Sequence, residues 1–126
     1  RITIIKDYGD LPDIECSCGQ MNQAFMHLIK NAIQSIPETG EIRLTTRRTN
    51  EHISINFRDS GVGMDESLKQ RIFEPFFTTR DIGQGVGLGL SISYGIVQEH
   101  HGKIDVISAP GQGSEFIITL PLRLKK

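Results

Sequence analysis

The chain has 126 residues, the length of one ordinary domain, with 37% hydrophobic residues, 23% charged residues and a formal net charge of −1. That composition is globular rather than disordered, and the near-neutral balance implies no sequence-independent grip on nucleic acid. The longest glycine-free apolar runs, 24–26 and 116–118, are far too short for a membrane-spanning helix or a secretory signal.

The chain opens inside a strand-like pattern without an initiator Met, so we read it as a single domain, residues 1–126, cut from something longer. Residues 1–7 and 11–16 read as two short strands around a Gly9-Asp10 turn. Cys16 and Cys18 form one C-x-C without the second pair that a zinc site needs, and are expected as ordinary reduced thiols on one strand face, in keeping with a cytoplasmic setting. Met21, Ala24, Phe25, Leu28, Ile29, Ala32, Ile33 and Ile36 then repeat at helical spacing, ended by Pro37 and Gly40.

Two alternating strands follow, one through Ile42, Leu44 and Thr46 and one through Ile53, Ile55 and Phe57, with a hairpin turn expected at Asn50-Glu51. A short helix is expected over 65–72, and residues 73–87 show no period. A helix over 88–100 carries two apolar stripes, suggesting burial on more than one side, and Gly102 suits its C-terminal cap. Strands over 103–108 and 114–122, joined by 109–113, close the chain. This order predicts an α+β two-layer sandwich whose mixed, mostly antiparallel sheet is covered on one face by three helices. The alternation along the strands leaves the other face to solvent or a partner.

Three pieces carry chemistry. Asn31 flanks the apolar stripe of the first helix, with His27 one turn earlier. Its carboxamide oxygen suits a hard cation such as Mg²⁺, or it is simply a solvated Asn. Asp59 ends an apolar strand just before Gly61-Val62-Gly63. Its carboxylate can accept from an exocyclic amine such as that of adenine, with glycines that let backbone approach a flat ligand, or the segment is a plain turn. Gly85-Val86-Gly87-Leu88-Gly89-Leu90 runs straight into a helix, a phosphate-binding arrangement or a flexible loop with a tight helix contact.

In order, HLIKNAIQSI (27–36), DSGVGM (59–64), FEPFFTT (73–79) and GVGLGL (85–90) resemble the N, G1, F and G2 boxes of sensor histidine kinases. Those boxes belong to the ATP-binding catalytic domain that the kinases share with gyrase, the Hsp90 chaperones and the MutL repair proteins, the Bergerat fold. The resemblance covers nearly the whole chain, and FEPFFTT before a short lid looks most like the nitrogen-sensing and dicarboxylate-sensing branch.

The resemblance implies ATP, with ADP as product, and Mg²⁺ as cofactors. It implies Asn31 as metal ligand, Asp59 on the adenine amine with Gly61 and Gly63 beside it, and Ser114 reaching an adenine-site water. Gly85, Val86, Gly87, Leu88, Gly89 and Leu90 would flank or back the phosphates. Residues 74–87 would form a mobile lid carrying Thr78, Thr79 and Arg80, with Lys30 and Arg80 as phosphate contacts or solvated charges. His27 stands where the family often has Asn and where gyrase and the chaperones carry a Glu base. It would order a metal-bound water, touch a phosphate or be structural. His100 and His101 suit a helix C-terminus.

The phosphoacceptor is then a helical hairpin domain of the same protein, and the next acceptor a response regulator receiver domain. The isolated domain is expected as a monomer, and the full-length protein as a homodimer that a membrane anchor can hold. A serine kinase or hydrolytic ATPase of the same fold, or an interaction module without nucleotide, are the alternatives.

Overall fold

A computed structural model describes residues 2–8, 18–49, 51–73 and 89–121. Along the chain run β1 (Ile2–Tyr8), α1 (Cys18–Ser35), β2 (Gly40–Arg48), β3 (His52–Asp59), α2 (Glu66–Lys69), α3 (Gly89–Glu99), β4 (Lys103–Ser108) and β5 (Ser114–Pro121). The strands make one sheet in the order β1-β2-β3-β5-β4. β1 lies parallel to β2, which requires a crossover, and α1 sits in that connection. The other three pairings are antiparallel, so the sheet is mixed and mostly antiparallel as expected.

Register decides where the core sits. Residues directly opposite one another point to the same face. Leu44, Phe57, Phe116 and Val106 therefore form one row across four strands, and Thr46, Ile55, Ile118 and Ile104 the next. Phe57, Phe116, Ile118 and Ile104 are buried beneath Met21, Ala24 and Leu28 of α1 and Ile96 and Val97 of α3. Each large apolar side chain withdrawn from water in this way contributes roughly 1.5–3 kcal/mol. The opposite face carries Arg43, Arg58 and Glu115 in one row and Thr45, Asn56 and Ile117 in the next, all exposed or half-buried. The two-layer α+β architecture is thus present.

Several local expectations change. Cys18 opens α1 instead of lining a strand, and its partner Cys16 lies outside the described residues, as do the expected strand 11–16, Asn50 and Leu122. Gly40 does not end α1. It begins β2, packed so closely on Ile36 and Ser60 that a side chain there would collide with both. The helix expected over 65–72 is a single turn, α2, whose N-cap Asp65 accepts from Leu68 N at 2.8 Å. Covering the sheet falls to α1 and α3, with Leu68 alone of α2 leaning on the core.

In α3 one of the two expected stripes breaks, because Tyr94 is 38% exposed. The fully buried position between the stripes is instead Ser93, whose hydroxyl donates to the Ala24 carbonyl of α1 at 3.2 Å. The helix ends in a Schellman turn, with Gly102 N–H on Val97 O and His101 N–H on Gln98 O, both at 3.0 Å. The left-handed residue is His101, at φ 63°, and not Gly102. His100 is buried with its Nδ1 donating to Ile96 O at 2.8 Å, so it is a packed residue rather than a solvated one at the helix end.

Candidate functional site

The apolar rows of the sheet end in a polar one. Asp59 of β3, Ser114 of β5 and Ser108 of β4 stand directly opposite one another on the helix-covered face. Asp59 is only 3% exposed and Ser114 5%. Asp59 Oδ1 accepts from the Gly61 N–H at 2.9 Å, while Oδ2 is buried with no hydrogen-bond partner among the described residues. Burial pushes the Asp59 carboxyl above its ordinary range, against the Gly61 N–H and, less, the nearby Ser35 hydroxyl and Ser114 N–H; neither of these last two makes a hydrogen bond to Oδ2, and the Ser35 hydroxyl donates to Ala32 O at 2.9 Å. Leaving a buried carboxylate oxygen unmatched is costly, so it marks a place for an outside donor.

The loop after Asp59 is fastened on two sides. Ser60 N–H donates to Glu41 O, and the Ser60 hydroxyl accepts from Glu41 N–H. Val62 N–H donates to Ser35 O at the end of α1, and Val62 O accepts from Gly111 N–H at 2.8 Å. The two glycines of the loop are demanded by the protein itself. A Cβ on Gly61 would lie 2.3 Å from Ser35 Oγ, and one on Gly63, at φ 73°, would lie 2.0 Å from Ala109 O. The room anticipated for a flat ligand is therefore filled, on the Cβ side, by α1 and by the β4–β5 loop.

α1 supplies the second wall. Ser35, beside Asp59 and Gly61, places one flank of the helix against the polar row. Asn31 and His27 lie one and two turns earlier on that flank, about 6 and 12 Å away along the axis. Asn31 is half-buried and Lys30 exposed. His27 is half-buried, with Nε2 buried and without a hydrogen-bond partner among the described residues, and burial, then the Lys30 charge, lowers its pKa below 6.5. Gly89 opens α3, and Leu90 packs against the main core cluster. Thr78, Thr79, Arg80, Gly85, Val86, Gly87 and Leu88 lie outside the described residues.

The structure thus gathers Asp59, Gly61, Gly63 and Ser114 at one end of the sheet and aligns Asn31 and His27 along the helix that leads away from it. Two residues were missed. Ser35 continues the His27–Asn31 spacing by one more turn, a signal present in the sequence. Ser108 had none, since only strand register brings it to Ser114. A line of hydroxyls and one carboxylate, set beside a helix flank carrying an amide and an imidazole, can bind an amine at one end and a hydrated, metal-neutralised anion at the other. Among the described residues no group of three or more His, Cys, Asp or Glu could hold a metal ion by itself.

The family described as histidine kinase-, DNA gyrase B- and HSP90-like ATPase matches residues 19–124. Sporulation kinase E of Bacillus subtilis (strain 168) is 44% identical over 115 residues, which is 90% of this chain but 15% of that protein. Among solved structures, the catalytic domain of histidine kinase ThkA, in a nucleotide-free form, superposes with a TM-score of 0.83 and 34% identity over 97% of this chain and 81% of its own. Full-length ShkA in complex with AMPPNP gives a TM-score of 0.86 and 28% identity over 98% of this chain and 26% of its own.

Proposed function

This chain belongs to the histidine kinase-, DNA gyrase B- and HSP90-like ATPase family, as a histidine kinase-type catalytic domain, and from that premise we propose that it binds Mg-ATP and presents the γ-phosphoryl to a histidine on a separate helical hairpin. The observation that carries this reading is the unmatched Oδ2 of buried Asp59 at the end of the sheet. An adenine amine supplies the donor that oxygen lacks, and the AMPPNP in the similar ShkA structure supports an adenine nucleotide as the ligand.

The residues present fit the cofactors. Mg²⁺ takes oxygen donors, keeps several waters and shares phosphate oxygens, so one protein ligand suffices, and Asn31 would be it. Bound there, the cation neutralises phosphate charge. Asp59 orients the base, Gly61 and Gly63 keep its loop seated, and Ser114 completes the adenine end. His27 and Lys30 stand toward the phosphate end of α1, with Gly89 and Leu90 at the start of α3. Thr78, Thr79, Arg80, Gly85, Val86, Gly87 and Leu88 would complete the phosphate side. Phosphoryl transfer asks the protein for positioning and charge neutralisation rather than a nucleophile, which this set supplies.

The hairpin domain of the same protein is the first partner and a response regulator receiver domain the next. The working protein would be a cytoplasmic catalytic unit of a homodimer that a membrane can anchor. FEPFFTT is the reason for placing it near the nitrogen- and dicarboxylate-sensing branch, although Sporulation kinase E is named for a different process.

Titration calorimetry with ATP, with and without Mg²⁺, tests the reading. Asn31→Ala should remove most of the metal-dependent part of the affinity, and ATP should outbind GTP by at least about tenfold, since guanine turns a carbonyl toward Asp59. Unchanged metal dependence in Asn31→Ala removes that role, and equal ATP and GTP binding removes the adenine reading. With γ-labelled ATP, the 126-residue chain should neither label itself nor release phosphate briskly, because His27 occupies the position of the hydrolytic Glu. A phosphoacceptor hairpin added in trans should take the label.

A further inference from the structure

Resting on that nucleotide reading, we propose that Ser108 is a positioning residue that fixes the direction of the Ser114 proton and so makes the adenine end discriminate an amine from a carbonyl. A serine hydroxyl has one hydrogen and two lone pairs. Ser108 Oγ accepts from Met64 N–H at 2.8 Å and donates to the Gly113 carbonyl at 2.9 Å, a group that can only accept. Its third contact, Ser114 Oγ at 2.8 Å, must therefore be the donor of that pair.

Direction follows from register. Ser108 lies on the β4 side of Ser114 and Asp59 on the β3 side. With the Ser114 proton committed toward β4, its lone pairs are left on the side of Asp59. They then face the β3 side, where Asp59 Oδ2 is a buried acceptor without a partner among the described residues. Two acceptors with no donor between them suit a group bringing two hydrogens, such as an exocyclic –NH2, contacted directly or through one water. A 6-oxo base brings a third acceptor to the same place. Without Ser108 the Ser114 hydroxyl is free to rotate and can donate to that carbonyl.

The ratio of ATP to ITP affinity reads this directly, because the two nucleotides exchange the 6-amino group for a 6-oxo group. Competition titrations would compare the unmodified chain with Ser108→Ala, Ser108→Thr, Ser114→Ala and the double variant Ser108→Ala/Ser114→Ala. Ser108→Ala should lower the ATP:ITP ratio about fivefold, the worth of one ordinary hydrogen bond. Ser108→Thr keeps the hydroxyl and should keep the ratio. On the Ser114→Ala background, Ser108→Ala should leave the ratio where it was, since no proton remains to direct.

A purely structural role for Ser108 would weaken both nucleotides by the same factor, and that result overturns the proposal. So does a ratio change in Ser108→Ala that persists without Ser114. Should Ser108→Ala fail to fold, Ser108→Cys, with its weak donor and acceptor, should shift the ratio in the same direction by less, and an unshifted ratio there counts against the proposal. If the unmodified chain binds no nucleotide, the adenine reading falls and takes this one with it. If it binds ATP through Asp59 and the ratio ignores Ser108, only this one falls.

Discussion

Under the proposed nucleotide reading, Asp59 sets function against stability within one side chain. Its pKa is raised by burial, so the folded state favours the protonated form. The sign follows. The contribution of this group is fully present below the unfolded value of 3.8 and is lost as pH rises through the folded value. Once ionised, the buried carboxylate costs the apo fold stability. Asp59→Asn keeps an oxygen for the Gly61 N–H and removes the charge. It should melt higher than the unmodified chain at neutral pH, with the gap closing as pH falls toward 3.8, while losing ATP affinity. Equal melting temperatures at neutral pH would contradict this.

His27 works in the opposite direction. Its pKa is lowered by burial and then by Lys30, so its contribution is present above the unfolded value of 6.5 and is lost as pH falls through the folded one. His27→Gln should flatten the loss of stability that the unmodified chain shows on acidification below 6.5, as followed by thermal melts across that range. Asp59 was legible in the sequence because it is polar where the β3 alternation asks for an apolar residue, and Asn31 because it flanks a clean helical stripe. Ser108 was not, because nothing local distinguishes it from any serine at a strand end. Its meaning arises from a cross-strand partner.

Elements were legible to the extent that their periods were clean. The α1 stripe, Ile33 apart, which is 40% exposed, and the four strands of the two hairpins alternate as one-sided burial requires, and they occur as read. The parallel placement of β1 could not be read, since it depends on a crossover and not on any property of the strand. The α3 cap was misassigned for a specific reason. Glycine is favoured at left-handed positions, but Gly102 is needed for space, a Cβ there falling 2.4 Å from Thr119 O, and the left-handed residue is the His before it. An L-residue held there costs roughly 1–2 kcal/mol, partly offset by its stiffer unfolded chain. His101→Gly should thus stabilise the fold by about 0.5–1 kcal/mol in denaturant melts, whereas His101→Val should destabilise it. No gain from His101→Gly would show that the side chain has contacts worth the strain.

Across the molecule, protection should follow position in the sheet. β3 and β5 are paired on both sides and covered by α1 and α3, while β1 and β4 are edges. Hydrogen exchange should be slowest at amides near Phe57, Phe116 and Ile118 and fastest, among the strands, in β1, and uniform protection would contradict that order. The polar row at the sheet's end also has a meaning in time. The β2–β3 hairpin closes locally, through Thr49 N–H on His52 O, but the β3–β5 pairing brings together residues far apart in the chain, such as Asn56 and Glu115, separated by 59 positions. Long closures of this kind come late and slowly. Asp59 and Ser114 are then expected to become neighbours late, so that under the proposed reading nucleotide should find its seat only in the finished fold. A ligand at a hundred times its dissociation constant would add about 2.7 kcal/mol to the finished fold. That gain should appear in refolding experiments as slower unfolding, with the folding limb unmoved, so that nucleotide guards the fold without helping to make it.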